Sequence, residues 1–151
     1  MGESLGVKFA KWDKEDGYVV NRDCYNSYFY FPEDKETSIA DKFVLHGHSL
    51  LQYLDGGSAL HLNLDDYPTE EGYRELFLLA ARTGCNYFCT NIPVTVCNNC
   101  NYIGKHPTDR CTQCDSEDVD HATRVIGYLK KISSFSADRQ KEAKERNYHR
   151  I

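Results

Sequence analysis

The sequence predicts an α/β fold that ends in a small metal ribbon, and three observations carry that prediction. Residues 58–92 read as strand, helix and strand in succession. Four cysteines follow in two closely spaced pairs, and from Ser133 onward the chain becomes strongly charged. With 151 residues, 40% of them hydrophobic and 27% charged, there is material for one globular domain with a real core.

Residues 1–17 are polar, with Lys-Trp-Asp-Lys-Glu-Asp at 11–16, and predict an irregular lead-in. From Tyr18 to Phe31 the aromatic residues Tyr25, Tyr28, Phe29, Tyr30 and Phe31 favour a strand, which Pro32 ends. Ser38 has the character of an N-cap, with Asp41 in the capping-box position. Ile39, Phe43, His46, Leu50 and Tyr53 or Leu54 follow at helical spacing, up to Asp55-Gly56-Gly57. In residues 58–64, Leu60, Leu62 and Leu64 alternate with His61 and Asn63, the pattern of a strand with one apolar and one polar face. Thr69 caps a second predicted helix, Glu70 and Glu71 suit the positive end of its dipole, and Gly84 suits its C-terminus. Tyr73, Leu76, Phe77 and Ala80 supply its expected buried face. Asn86 to Ile92 reads as another strand, so the two strands are expected to be parallel neighbours in a βαβ unit. The resulting division is a lead-in at 1–17, an α/β segment at 18–96, a ribbon at 97–116 and a loop with a helical tail at 117–151.

Charge and composition exclude several classes of function. A net charge of −5 provides no basic field for nucleic acid. No apolar run reaches the length of a membrane span, and residues 1–17 lack a signal-peptide core. A cytoplasmic location is therefore expected, where thiols stay reduced. Seven cysteines, an odd number, then read as metal ligands and free thiols before they read as disulfides.

Cys97-x2-Cys100 and Cys111-x2-Cys114 form two knuckles, each aiming two thiolates at one point. Asn101 and Asp115, one residue past each pair, tolerate the left-handed backbone such knuckles need. A rubredoxin-type iron centre uses the same ligands, and frequency favours zinc. Four thiolates leave no open coordination position, so the expected role is structural. His106 and His121 lie nearby in sequence and are expected at the surface or beside the ligands. Farther on, Thr123-Arg124-Val125-Ile126-Gly127-Tyr128-Leu129 places a glycine inside a β-branched, apolar run, where a lone glycine ordinarily marks a bulge or a close backbone approach.

Arg-Val-x-Gly-Tyr at 124–128, shortly after the paired cysteines, resembles the C-terminus of anaerobic (class III) ribonucleotide reductases, which are glycyl radical enzymes. Further landmarks of that family follow in order along residues 20–150: Asn26-Ser27 with Pro32, Asp55-Gly56-Gly57 before His61, Gly84 before Tyr87, Thr90-Asn91-x-Pro93, Phe135-Ser136 and Arg139-Gln140-Lys141-Glu142. The resemblance implies a fragment of the ten-stranded α/β barrel of those enzymes, a zinc ribbon and a glycyl radical loop. It makes Gly127 the radical site, charged by a separate radical-SAM activase and used to generate a thiyl that acts on a ribonucleotide.

Full-length members carry several hundred residues before this region, including the finger loop with the thiyl cysteine. Cys24, Cys85 and Cys89 do not match that loop and read as structural thiols. His61 and Asn63 would line a cavity of a completed barrel or serve as hydrogen-bonded structural groups. There is no phosphate-binding glycine loop, so this chain alone is not expected to reduce ribonucleotides. Three expectations follow. The chain is a small radical-bearing subunit that docks on a larger reductase chain, as its Met1 start suggests; or it is a split fragment of an ordinary class III enzyme; or it is a zinc-ribbon interaction module whose glycine is never activated.

Overall fold

A computed structural model of the chain describes residues 2–20, 36–124 and 128–150. The strand expected at 18–31, Cys24, the Asn26-Ser27 and Pro32 landmarks, and Gly127 with its neighbours Val125 and Ile126 lie wholly or largely outside the described residues.

The lead-in is helical, not irregular: α1 runs over Gly2–Glu15. Its buried positions include Gly6 and Ala10, four residues apart on one face. Phe9 and Trp12 meet edge to face at 5.3 Å on its half-exposed side, and Lys11 pairs with Glu15 at 3.6 Å.

The second helix begins as expected. Ser38 accepts the Asp41 backbone N–H at 3.0 Å, and α2 runs over Ile39–Val44. It does not continue as a regular helix to Leu54. Leu45–Ser49 winds as a π-helical turn with a non-helical Gly47 (φ −92°, ψ −136°). The reason is contact from outside the segment: a Cβ at Gly47 would stand 2.0 Å from the carbonyl oxygen of Thr83. The turn buries His46, whose Nδ1 lies 2.6 Å from Ser58 Oγ. Burial, reinforced by Lys42 and His61, pushes His46 down to about 4, so it is neutral at physiological pH.

The βαβ unit forms with the expected parallel pairing. Strand β1 (Leu60–Asn63) and strand β2 (Phe88–Asn91) are parallel, Leu60 opposite Phe88 and Asn63 opposite Asn91. Between them lies α3 (Glu70–Thr83), capped by Thr69, which accepts the Gly72 N–H at 3.1 Å, and closed by a left-handed Gly84 (φ 75°). Phe43, Leu60, Leu62, Leu64, Leu76 and Ala80 make the core with Cys85 and Ile92. Burying the phenylalanine, leucine and isoleucine side chains among them stabilises the unit by roughly 1.5–3 kcal/mol each. Phe77 departs from its expected place in that core. It is 63% exposed and only its ring edge reaches Phe88, at 5.3 Å.

Pro93 separates this unit from a second sheet. Strand β3 (Val94–Cys97) pairs antiparallel with β4 (Val119–Arg124), which pairs antiparallel with β5 (Leu129–Lys131). The last described register pairs are Cys97 opposite Val119 at one end of β4 and Arg124 opposite Leu129 at the other. A 3-10 turn, Ile132–Ser134, leads to α4 (Ala137–Glu145), capped by Ser136. His149 then bridges to Leu64, laying the tail along β1. No helix among the described residues is long and apolar enough to cross a membrane.

Candidate metal centre and the strand that leaves it

The four cysteines converge, their sulfur atoms all within 4.8 Å of one another. Cys97 and Cys114 sulfurs are 3.6 Å apart, as are those of Cys100 and Cys111. A tetrahedron with metal–sulfur bonds of roughly 2.3 Å has edges of roughly 3.8 Å, so the donor set fits a four-thiolate metal. Each knuckle closes on a backbone bond, from the Asn101 N–H to the Cys97 carbonyl (3.1 Å) and from the Asp115 N–H to the Cys111 carbonyl (2.9 Å). Asn101 and Asp115 are the two described non-glycine residues with positive φ, at 59° and 58°. The left-handed turn aims amide donors at the sulfurs: Cys100 N–H reaches Cys97 Sγ, and Gln113 N–H reaches Cys111 Sγ, both at 3.4 Å. The amide of Cys100 is the main cause holding the Cys97 thiol below its ordinary value, while the crowded neighbouring sulfurs push Cys100 the other way, so without a metal the four sulfurs do not all become thiolates together.

The loop joining the knuckles is tied to the sheet by buried Thr95. Its hydroxyl accepts the Thr108 N–H at 2.7 Å and donates to the His106 carbonyl at 2.9 Å. His106 turns to Asp66 (3.6 Å) and His121 to the Thr108 carbonyl (3.3 Å), so neither joins the cysteines. Asn98 accepts from Lys131 at 2.6 Å and donates to Asp118 at 2.8 Å, which joins the first knuckle to β5 and to the turn before β4.

On the polar face of β1 and β2 two asparagines satisfy each other. Asn63 and Asn91, each 2% exposed, are register partners, and Asn91 Nδ2 donates to Asn63 Oδ1 at 2.7 Å. Beside them His61 stands opposite Cys89. Burial lowers the pKa of His61, helped by the nearby Arg146, Arg124 and Arg139. Burial raises Cys89 and Cys85; Arg124 opposes the shift at Cys89, and Cys85 donates to the Tyr87 carbonyl at 3.4 Å. Neither is a poised thiolate.

Sequence reasoning missed the group of residues that meets the end of β4. Asn91 Oδ1 accepts both the Thr123 hydroxyl (2.9 Å) and the Arg124 backbone N–H (2.8 Å). Arg146 Nη1 donates to the same hydroxyl at 3.2 Å while its Nε and Nη2 grip Glu142 at 2.7 and 2.9 Å. Thr90-Asn91-x-Pro93 was a visible landmark, but nothing local announces that its asparagine reaches across to another sheet.

Comparison with known proteins places this geometry in a family. A family model described as anaerobic ribonucleoside-triphosphate reductase matches residues 2–149. No curated protein matches the chain. Among solved structures, an anaerobic ribonucleotide reductase superposes with a TM-score of 0.80 at 26% identity, over 97% of this chain and 23% of that one. The anaerobic ribonucleotide reductase of Thermotoga maritima in complex with dATP and CTP gives 0.71 at 26% identity, over 91% and 22%. The same enzyme with glycerol in its active site gives 0.72 at 25%, over 93% and 22%. The chain thus spans less than a quarter of the length of these structures.

Proposed function

The chain belongs to the anaerobic ribonucleoside-triphosphate reductase family, and we propose that it is the glycyl-radical-bearing C-terminal part of such an enzyme, acting with a larger catalytic chain. The observation that carries this reading is positional. Arg124 ends β4 and Leu129 opens the antiparallel β5, so Gly127 lies in sequence between two paired strands whose far end is the four-cysteine ribbon, in a chain that matches the reductases over almost its whole length. The βαβ unit would supply the last strands of the ten-stranded barrel, the rest coming from the larger chain.

In this reading Gly127 stores the radical. Glycine suits the task because a Cα radical between an amide nitrogen and a carbonyl delocalises onto both, and no Cβ forces it out of plane. A radical-SAM activase would remove the Cα hydrogen as 5′-deoxyadenosine, leaving the unpaired electron on Gly127. That radical then takes a hydrogen atom from a cysteine thiol of the larger chain, and the resulting thiyl abstracts hydrogen from C3′ of the ribonucleotide. Cys97, Cys100, Cys111 and Cys114 would hold zinc, which with four thiolates closes its shell and fixes the ribbon without activating water. The chain's own contribution is to place and shield one backbone carbon.

Anaerobic incubation with the activase, S-adenosylmethionine and a reductant should yield an EPR doublet that Gly127→Ala abolishes. A missing doublet, or one that survives Gly127→Ala, would overturn the radical assignment and leave a zinc-ribbon interaction module. Metal analysis should return one zinc per chain.

A further inference from the structure

Two sheets meet at one side-chain amide. Asn91 ends β2, and Ile92 and Pro93 alone separate it from β3, so it sits at the junction of the βαβ unit and the ribbon sheet. Its carboxamide is used in a directional way. Nδ2 donates to Asn63 Oδ1, which leaves Oδ1 turned toward β4, where it accepts from Thr123 Oγ1 and from the backbone N–H of Arg124. Thr123 is 0% exposed, and its hydroxyl is held from the opposite side by Arg146 Nη1. The Arg146 guanidinium has little freedom, because two of its nitrogens form a fork on the Glu142 carboxylate of α4.

We infer that Asn91 and Thr123 are positioning residues for residue 127. Asn91 clamps the last two residues of β4 to the β1–β2 sheet, Asn63 orients the clamp, and the Arg146–Glu142 pair locks the Thr123 hydroxyl into it. The inference rests on the reading of Gly127 as the radical site and adds the device that sets its place. Backbone pairing fixes β4 only within its own sheet, through Leu129 and the other partners of β5 and β3. The side-chain amide fixes it relative to the neighbouring sheet, which in this reading is the barrel the glycine must enter. A displacement of about 1 Å at a reacting group can cut its rate about a hundredfold, so a clamp four residues before the glycine has leverage.

Thr123→Val removes the hydroxyl and keeps the β-branched shape, whereas an Arg146 variant would strand Glu142 beside a buried site. The chain is therefore tested as Thr123→Val, Thr123→Ser and Asn91→Ala, each mixed with a larger reductase chain that lacks its own glycine region. Three quantities are read: zinc per chain, exchange of the Arg124 amide with deuterium, and EPR doublet yield after activation. Expected results are one zinc throughout, faster Arg124 exchange in Thr123→Val and Asn91→Ala, a doublet yield about tenfold lower in both, and recovery in Thr123→Ser. An unchanged doublet yield in Thr123→Val and Asn91→Ala overturns the positioning role, whatever the exchange shows. Lost zinc with loss of the fold in all three variants, Thr123→Ser included, overturns it in favour of a purely structural network. A wild-type chain without a doublet removes the radical reading itself and the positioning role with it. The wild-type arm therefore separates the two failures.

Discussion

Gly47 shows at the scale of one residue what a local reading can and cannot find. Ser38, Thr69 and Gly84 were legible as caps because a cap is defined by its neighbours within four residues, and each performs that role in the structure. Asn101 and Asp115 were legible for the same reason. Gly47 obeys a different constraint: the carbonyl of Thr83, thirty-six positions away in the chain, occupies the place of a Cβ. Gly47→Ala must push the end of α3 aside or unwind the turn that buries His46. It is expected to destabilise the chain by about 2–3 kcal/mol, in the range of overpacked sites. Urea unfolding monitored by circular dichroism checks this, and an unchanged midpoint would contradict the close approach. Asn91 was hidden in the same way, since its partners Thr123 and Arg124 belong to another sheet.

Among the elements, the ribbon was legible almost completely and α1 was not. Cysteine spacing encodes a geometry by itself, because thiolates on two knuckles have only one way to converge. In α1 Leu5, Phe9 and Trp12 do recur at helical spacing, but with polar residues around them and Gly6 and Ala10 on the buried face the segment suggested an irregular lead-in. The strands β4 and β5 were also faint, since β4 contains Asp120, His121 and Arg124 and buries chiefly Ala122 and Thr123. Their order comes from pairing with β3 and from the knuckles at their base. Removal of the metal is therefore expected to loosen 97–124 before it touches the βαβ core. Cys111→Ser should bring bound zinc below half an equivalent and open residues 97–118 to limited proteolysis, with the α3 segment still protected, as free energy of metal binding is folding free energy for such a site. Full zinc occupancy in Cys111→Ser, or uncut residues 97–118 after chelation, would refute the staple.

The whole molecule carries features of a part. Its parallel sheet has two strands among the described residues, whereas parallel sheets are ordinarily larger and covered on both faces. Phe77, Tyr53 and Tyr87 are 63%, 77% and 50% exposed, on or near the βαβ unit. Family membership was legible because the landmarks fall in order along the chain; the arrangement of partner surfaces was not, because Phe77 has the spacing of a core residue and meets solvent instead. The chain is expected to co-elute with a larger reductase chain lacking this region, and Phe77→Asp should weaken that association about tenfold or more, as for a buried aromatic anchor. Separate elution at every mixing ratio would count against a docked part. One consequence lies in the length of β4. Six residues of strand, Val119–Arg124, put about 17 Å between the register pair at Cys97 and the point where residues 125–127 depart. Thiols are ready hydrogen-atom donors and thiolates ready electron donors, and a radical at Gly127 would be extinguished by either within reach. The strand that ties this sheet to the ribbon also separates the ribbon's sulfurs from the end of β4, so that in the proposed reading support and insulation would come from the same six residues.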